Sequence, residues 1–87
     1  MFVIVVYDVG IKRVNKVLKL CRKYLNWVQN SVLEGEISLS NMNKLKMELE
    51  QIIDPDSDSV IIYSSRTMRY NEREIMGVLK GGQDLII

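Results

Sequence analysis

The sequence contains no histidine, one cysteine and one proline, and these shortages exclude several kinds of site. Without histidine there is no Ser–His or Cys–His catalytic pair and no imidazole ligand for a metal ion. The single cysteine, Cys21, leaves no intrachain disulfide, no CxxC redox pair and no cysteine-based zinc site, so we expect it in the core. Any catalysis therefore depends on aspartate or glutamate with a hard metal ion, or on lysine, tyrosine or serine.

Long apolar runs are also missing. The apolar segment at residues 2–7 is far shorter than the roughly 20 residues that a membrane span needs. No basic segment precedes it, as one would in a signal peptide. We therefore expect a cytoplasmic protein that makes no contact with a membrane.

The charge is divided unevenly along the chain, although the net charge is only +1. Residues 1–33 carry six basic residues and one acid, whereas residues 34–58 carry seven acids and two lysines. The 87 residues form one small domain, which buries only about 60% of the surface that its unfolded chain exposes. Because 47% of the residues are hydrophobic, we expect a partner surface as well as a core.

Hydrophobic periodicity predicts the order β-α-β-β-α-β. The predicted segments are a strand at 2–7, a helix with the apolar face Val14, Val17, Leu18, Cys21 and Leu25, strands at 27–29 and 31–37 or one bent strand, a helix from the N-cap Ser40 to Ile53, and a strand at 59–64. This order is typical of the α+β ferredoxin-like fold, which we assign to residues 1–64. Residues 65–87 are expected to extend the same domain with one or two short strands, including the terminal QDLII, which would contact the dimer partner or another protein.

The predicted first and last strands of this fold are apolar on both faces. Two helices cover only one face of a four-stranded sheet, and a face that meets water is normally polar. Another copy of the chain is the simplest cover for the second face, so we predict a homodimer whose sheets face each other. The alternative is that the C-terminal tail folds back over this face.

Asp8 stands at the C-terminal end of the first predicted strand, directly after Tyr7. In a two-fold dimer, both copies of Asp8 could face one Mg²⁺ ion, which binds one or two carboxylates and keeps several waters. The other interpretation is an ordinary turn residue, since aspartate often ends strands.

A cationic stripe runs along the first predicted helix. Its members, Lys12, Lys16, Lys19 and Lys23, recur at helical spacing, and Arg13 and Arg22 lie close by. Such a stripe can bind nucleic-acid phosphates, or it can be a solvated helix face without a partner. The acids Glu34, Glu36, Asp54, Asp56 and Asp58 match no EF-hand loop, and we interpret them as solvated charge or a face that avoids nucleic acid.

Three segments together resemble the CRISPR-associated protein 2 family: VIVVYDV near the start, VQNSVLEGEIS in the middle and DPDSDSVIIYS after the second helix. The resemblance covers residues 1–64 and extends more loosely to REIMG and DLII. It implies a ferredoxin-like homodimer with facing sheets, and it implies that Tyr7 and Asp8 are catalytic, with Asp8 bound to Mg²⁺. Family members have been described as metal-dependent nucleases on RNA or DNA, and as the scaffold that holds duplex DNA between integrase dimers during spacer acquisition.

We therefore hypothesise a dimeric scaffold that binds duplex DNA with the CRISPR integrase, with Mg²⁺-dependent nuclease activity as a secondary property. Lys12, Arg13, Lys16, Lys19 and Lys23 are the expected nucleic-acid contacts. Two alternatives stay open at this point. One is a metal-dependent endonuclease or endoribonuclease in its own right, and the other is a small ligand-binding regulatory domain of the same topology.

Overall fold

A computed structural model describes residues 1–67 and 70–80 of the chain. Its elements are β1 (Phe2–Asp8), α1 (Val14–Cys21), β2 (Asn26–Gln29), β3 (Val32–Glu36), α2 (Leu39–Ile52), β4 (Ser59–Thr67) and β5 (Tyr70–Gly77). The predicted β-α-β-β-α-β order is confirmed, and β5 is added to it. In the described part of the chain, neither helix is long and apolar enough to cross a membrane.

The strands form one sheet in the order β2-β3-β1-β4-β5, and every neighbouring pair is antiparallel. The first strand of the chain is therefore the centre of the sheet. It pairs with β3 on one side, where Val5 lies opposite Leu33, and with β4 on the other, where Val5 lies opposite Ile62. This arrangement confirms the ferredoxin-like fold.

The core lies between the two helices and one face of the sheet. Alternate residues of β1, Val3 and Val5, are fully buried, as strand geometry requires for a face turned toward the helices. The helices contribute Val17, Leu20, Cys21, Leu45 and Leu49 to the same cluster. Burying each valine or leucine side chain of this cluster stabilises the fold by about 1.5–3 kcal/mol. Leu18, expected on this face, is only half-buried, and Leu20 takes its place.

The N-cap of the second helix lies two residues earlier than predicted. Ser38 is the N-cap, because its backbone is extended and its hydroxyl accepts a hydrogen bond of 3.1 Å from the amide of Asn41. Ser40 therefore lies within the first turn. The predicted C-terminal end of this helix is confirmed, because Ile53 already has extended backbone angles and the Asp54–Pro55 pair follows it. Lys46 of this helix forms an ion pair with Glu74 of β5 at 2.5 Å.

The described part of the C-terminal extension contains one eight-residue strand, longer than expected, that forms a hairpin with β4. Because β4 continues to Thr67, the expected division after residue 64 falls inside a strand. The prediction for QDLII concerns residues outside the described ranges. The pairing of β2 with β3 shifts register between Trp27 and Gln29, whereas Gly35 of β3 pairs regularly with Val3 of β1.

Candidate nucleic-acid interface and metal site

Tyr7 and Asp8, which are adjacent in β1, point to opposite faces of the sheet. Tyr7 belongs to the core on the helix side, and burial raises the pKa of its phenol. The Asp8 side chain is 70% exposed on the other face. The structure therefore does not bring these two residues together as one catalytic site.

The sheet face opposite the helices carries an apolar patch bordered by Glu34, Glu36 and Arg73, and we call this patch the open face. Its members are Phe2, Ile4 and Val6 of β1, Val32 of β3, Ile61 and Tyr63 of β4, and Ile75 of β5. None of them is buried in the single chain, whereas alternate residues of β1, β3 and β4 lie in the core. The described part of the tail extends the sheet as β5 and does not fold over this face.

Asp8 ends β1 opposite Ser59, on the same side of the sheet as the open face. The Nζ of Lys80 donates a hydrogen bond of 3.2 Å to the Asp8 carbonyl and lies 3.6 Å from its carboxylate. Across residues 1–67 and 70–80, no three acidic or cysteine side chains come together as a ligand cluster. One chain thus offers a single carboxylate with a cation beside it at this position.

Arg13, expected to contact phosphate, forms a two-pronged ion pair with Asp58. Its Nε and one terminal nitrogen donate to the two carboxylate oxygens at 2.5 and 2.9 Å. The amides of Gly10 and Asp54 also donate to this carboxylate, each at 2.8 Å. Hydrogen bonding from Arg13, assisted by these two amides, holds the pKa of Asp58 well below its usual range. The interpretation of Asp58 as solvated charge was wrong, because the residue is completely buried.

Two glycines make room around this group, which we call the Asp58 cluster (Gly10, Arg13, Asp54, Asp58 and the Gly77–Val78 peptide). A side chain at position 10 would overlap the Arg13 guanidinium, and one at position 77 would overlap the Asp58 carbonyl. Gly77 also has a φ of 82°, which favours glycine, and the amide of Val78 donates to the Asp58 carbonyl at 2.9 Å. The cluster therefore connects the β1–α1 loop with the start of β4 and the end of β5. It lies at the same end of the strands as Asp8.

The cationic stripe is only partly helical. Lys16 and Lys19 lie on α1, Lys12 lies in the turn before it, and Lys23 lies in the turn after it. Lys16, Lys19 and Lys23 line a groove of about 530 Å³ between the two helices, together with Leu20, Glu48 and Ile52. Glu48 accepts a 2.8 Å hydrogen bond from the Tyr24 hydroxyl, so the acid in this groove is held by a neutral donor. Three of the predicted phosphate contacts are thus gathered in one place.

Trp27 is a surface feature that the sequence interpretation treated only as a strand residue. It lies in the edge strand β2 and is 50% exposed. The guanidinium carbon of Arg22 lies 5.6 Å from the centre of its ring, within the range of a cation–π contact. The indole N–H donates to the carbonyl of Asn30 at 2.9 Å. An aromatic residue five positions after an arginine gives no recognisable pattern, so only the structure reveals this pair.

Comparison with known families matches residues 1–73 to the family model described as CRISPR associated protein Cas2. Two similar relatives, both named CRISPR-associated endoribonuclease Cas2, come from Dictyoglomus turgidum and Pyrococcus furiosus. Each is 53% identical over 87 residues, and each alignment covers 100% of this chain and 100% of the relative. The similarity in sequence therefore extends through the C-terminal residues.

Solved structures agree with this similarity. A crystal structure titled as that of cas2 superposes with a TM-score of 0.74 and is 44% identical, covering 100% of this chain and 98% of its own. The structure of Cas2 from Streptococcus pyogenes superposes with a TM-score of 0.70 and is 39% identical, covering 75% of this chain and 86% of its own. At these identities the likeness concerns the sequence as well as the fold.

Proposed function

The chain belongs to the Cas2 family of CRISPR-associated proteins, and from that membership we propose that it is a dimeric scaffold of CRISPR adaptation. In this function it binds duplex DNA together with the CRISPR integrase during spacer acquisition. The observation that carries the proposal is the division of the molecule into an open apolar face and, on the opposite side, a helical layer with clustered lysines.

The open face supports a two-fold dimer. Ile61 lies at its centre, opposite Val6 in the pairing of β4 with β1 and opposite Ile75 in the pairing with β5. Contiguous apolar patches of this kind mark interaction surfaces in small proteins, and a second identical patch is complementary in chemistry. Packing two open faces together would turn both helical layers outward.

The lysines of the helical layer support binding to duplex DNA. Lys16, Lys19 and Lys23 lie side by side, so they can follow the phosphates of a backbone without reading its sequence. Arg13 is left out of this set because Asp58 already binds its guanidinium. In the dimer, the two outward groups of lysines would provide two backbone contacts on one complex.

Replacing Lys16, Lys19 and Lys23 together by glutamate is expected to weaken binding to unrelated duplexes by the same factor. The dependence of log K on log salt should become less steep by about one for each phosphate that the variant no longer neutralises. Fluorescence anisotropy with labelled duplexes over a series of salt concentrations measures both effects. Lys44→Glu, on the exposed side of α2 outside the groove, is the control for a change of charge alone. Unchanged affinity of the triple variant at low salt would show that the stripe is only solvated.

A nuclease is the second candidate, supported by the name endoribonuclease of the relatives and by the exposed carboxylate of Asp8. In a dimer, the two copies of Asp8 would hold Mg²⁺. The ion would polarise a phosphodiester and activate a water molecule for attack. The role of Asp8 would be to position the ion at the end of β1. Lys80 lies close enough to contact a phosphate at the same place.

Asp8→Asn is expected to abolish any Mg²⁺-dependent cleavage of RNA or DNA while leaving the dimer and duplex binding intact. Asparagine keeps the shape and the turn-forming oxygen but loses the charge that a hard dication requires. Cleavage assays with Mg²⁺ and with EDTA measure this, and Asp56→Asn in the exposed α2–β4 loop is the matched control. Cleavage that survives in the Asp8 variant would remove this residue from the chemistry.

Co-purification with the integrase on duplex DNA tests the scaffold function as a whole. A scaffold should form a complex of integrase, this protein and duplex, and the complex should integrate DNA equally well with Asp8→Asn. Loss of integration by this variant while the complex still assembles would instead favour the nuclease.

A further inference from the structure

We propose that Trp27 and Arg22 form a stacking site for an unpaired nucleobase, beside the lysines that hold the duplex backbone. This inference rests on the proposed nucleic-acid function and adds a second kind of ligand to it, the flat face of a base. The chemical class is single-stranded nucleic acid, either an overhanging end or an unpaired segment next to a duplex.

The ring of Trp27 is exposed and already held in place. Trp27 pairs with Leu33, whose side chain lies in the core, so the indole is on the helix side of the sheet and beyond the end of α1. Its N–H is bound by the carbonyl of Asn30, a turn residue with a φ of 40°. Half of the side chain nevertheless remains open to solvent. A ring that is oriented before the ligand arrives loses little entropy when a base stacks on it.

Arg22 gives this aromatic site a positive charge. Its guanidinium lies over the Trp27 ring at 5.6 Å, and Trp27 is still 50% exposed. Within residues 1–67 and 70–80, no carboxylate forms an ion pair with Arg22, in contrast to Arg13, which Asp58 neutralises. The charge of Arg22 is therefore available to a phosphate next to the stacked base.

The stacking site continues from the lysine groove. Arg22 follows Lys19 by three residues, a spacing that makes side chains neighbours on a helical surface, and Lys23 belongs to the groove itself. A backbone that crosses the lysines is thus led by further positive charge to an exposed aromatic ring. This combination of a cationic path with an aromatic platform is the way in which proteins bind unpaired strands without sequence preference.

The emission of Trp27 provides a direct test, because this is the only tryptophan in the chain. The full-length protein is titrated with a blunt duplex, with the same duplex carrying unpaired thymidines at its ends, and with oligothymidylate alone. We expect quenching by the two ligands with unpaired bases and little change with the blunt duplex. Anisotropy of the labelled ligands measures binding independently of the tryptophan signal.

Variants separate stacking from folding. Trp27→Leu should weaken binding of the overhang duplex about tenfold, the loss expected for one stacked base, and leave the blunt duplex unaffected. Trp27→Phe keeps an aromatic face, so it should restore most of the affinity for the overhang. Circular dichroism checks that both variants keep the fold, and Val28→Leu, at an equally exposed position of β2, is the matched control.

The results distinguish this inference from the function on which it rests. If anisotropy changes with overhang DNA but the emission of Trp27 is not quenched and Trp27→Leu loses no affinity, the stacking site is overturned while the proposed DNA binding stands. Absence of any anisotropy change with all three ligands would overturn the proposed DNA-binding function and the stacking site together.

Discussion

Replacing Asp58 by alanine is expected to lower the free energy of unfolding by about 3 kcal/mol at neutral pH. The change leaves the Arg13 guanidinium without its partner and removes the acceptor for the amides of Gly10 and Asp54. Urea denaturation at one fixed protein concentration measures the effect, since dimerisation also contributes to stability. Asp56→Ala, in the same loop but exposed, should change the stability by less than about 0.5 kcal/mol.

The contribution of Asp58 should also depend on pH in a defined direction. Its pKa is lowered in the folded chain, chiefly by the hydrogen bond from Arg13. The stabilisation is therefore complete above the unfolded pKa of about 4 and is lost as the pH falls toward the folded value. Denaturation curves of the original chain and Asp58→Ala should differ most above this pH and converge below it. Equal stability of the two proteins at pH 7 would contradict the structural role of the cluster.

Replacing Ile61 by aspartate is expected to raise the dissociation constant of the dimer by at least about 100-fold. Ile61 lies at the centre of the open face. A two-fold interface contains this residue twice, so one substitution places two carboxylates in the interface. In the free monomer the new carboxylate would face water, which is why the fold should survive. Sedimentation equilibrium across a concentration series measures the change.

Met47→Asp is the control for the same chemical change on the other side of the molecule. Met47 is 67% exposed on α2, in the layer that would face outward in the dimer. This variant should remain dimeric. If the original chain sediments as a stable monomer, or if both variants behave alike, the open face is not the dimer interface.

The elements could be predicted from the sequence because their signals are local. The alternation in β1, the apolar spacing in α1 and α2, and the Asp54–Pro55 stop each lie within a few neighbouring residues. The start of α2 was misplaced because Ser38 and Ser40 are equally suitable as N-caps by type, and only backbone geometry selects Ser38.

The site was less predictable because its contacts join distant parts of the chain. Arg13 and Asp58 are 45 residues apart, and nothing near either residue indicates that they meet. Their pairing changed both interpretations, removing Arg13 from the expected phosphate contacts and Asp58 from the solvated acids. The opposite directions of Tyr7 and Asp8, by contrast, follow from strand alternation. The sequence left open only which of the two faces meets the helices.

A strand that is apolar on both faces does not define its own register. A shift of β1 by one residue would exchange its faces, and Ile4 and Val6 would fill the core nearly as well as Val3 and Val5. The residue that tolerates only one of the two arrangements is Asp8, since the shift would turn its carboxylate away from water and toward the helices. The cost of burying its charge therefore favours the observed pairing of the central strand, independently of any metal ion.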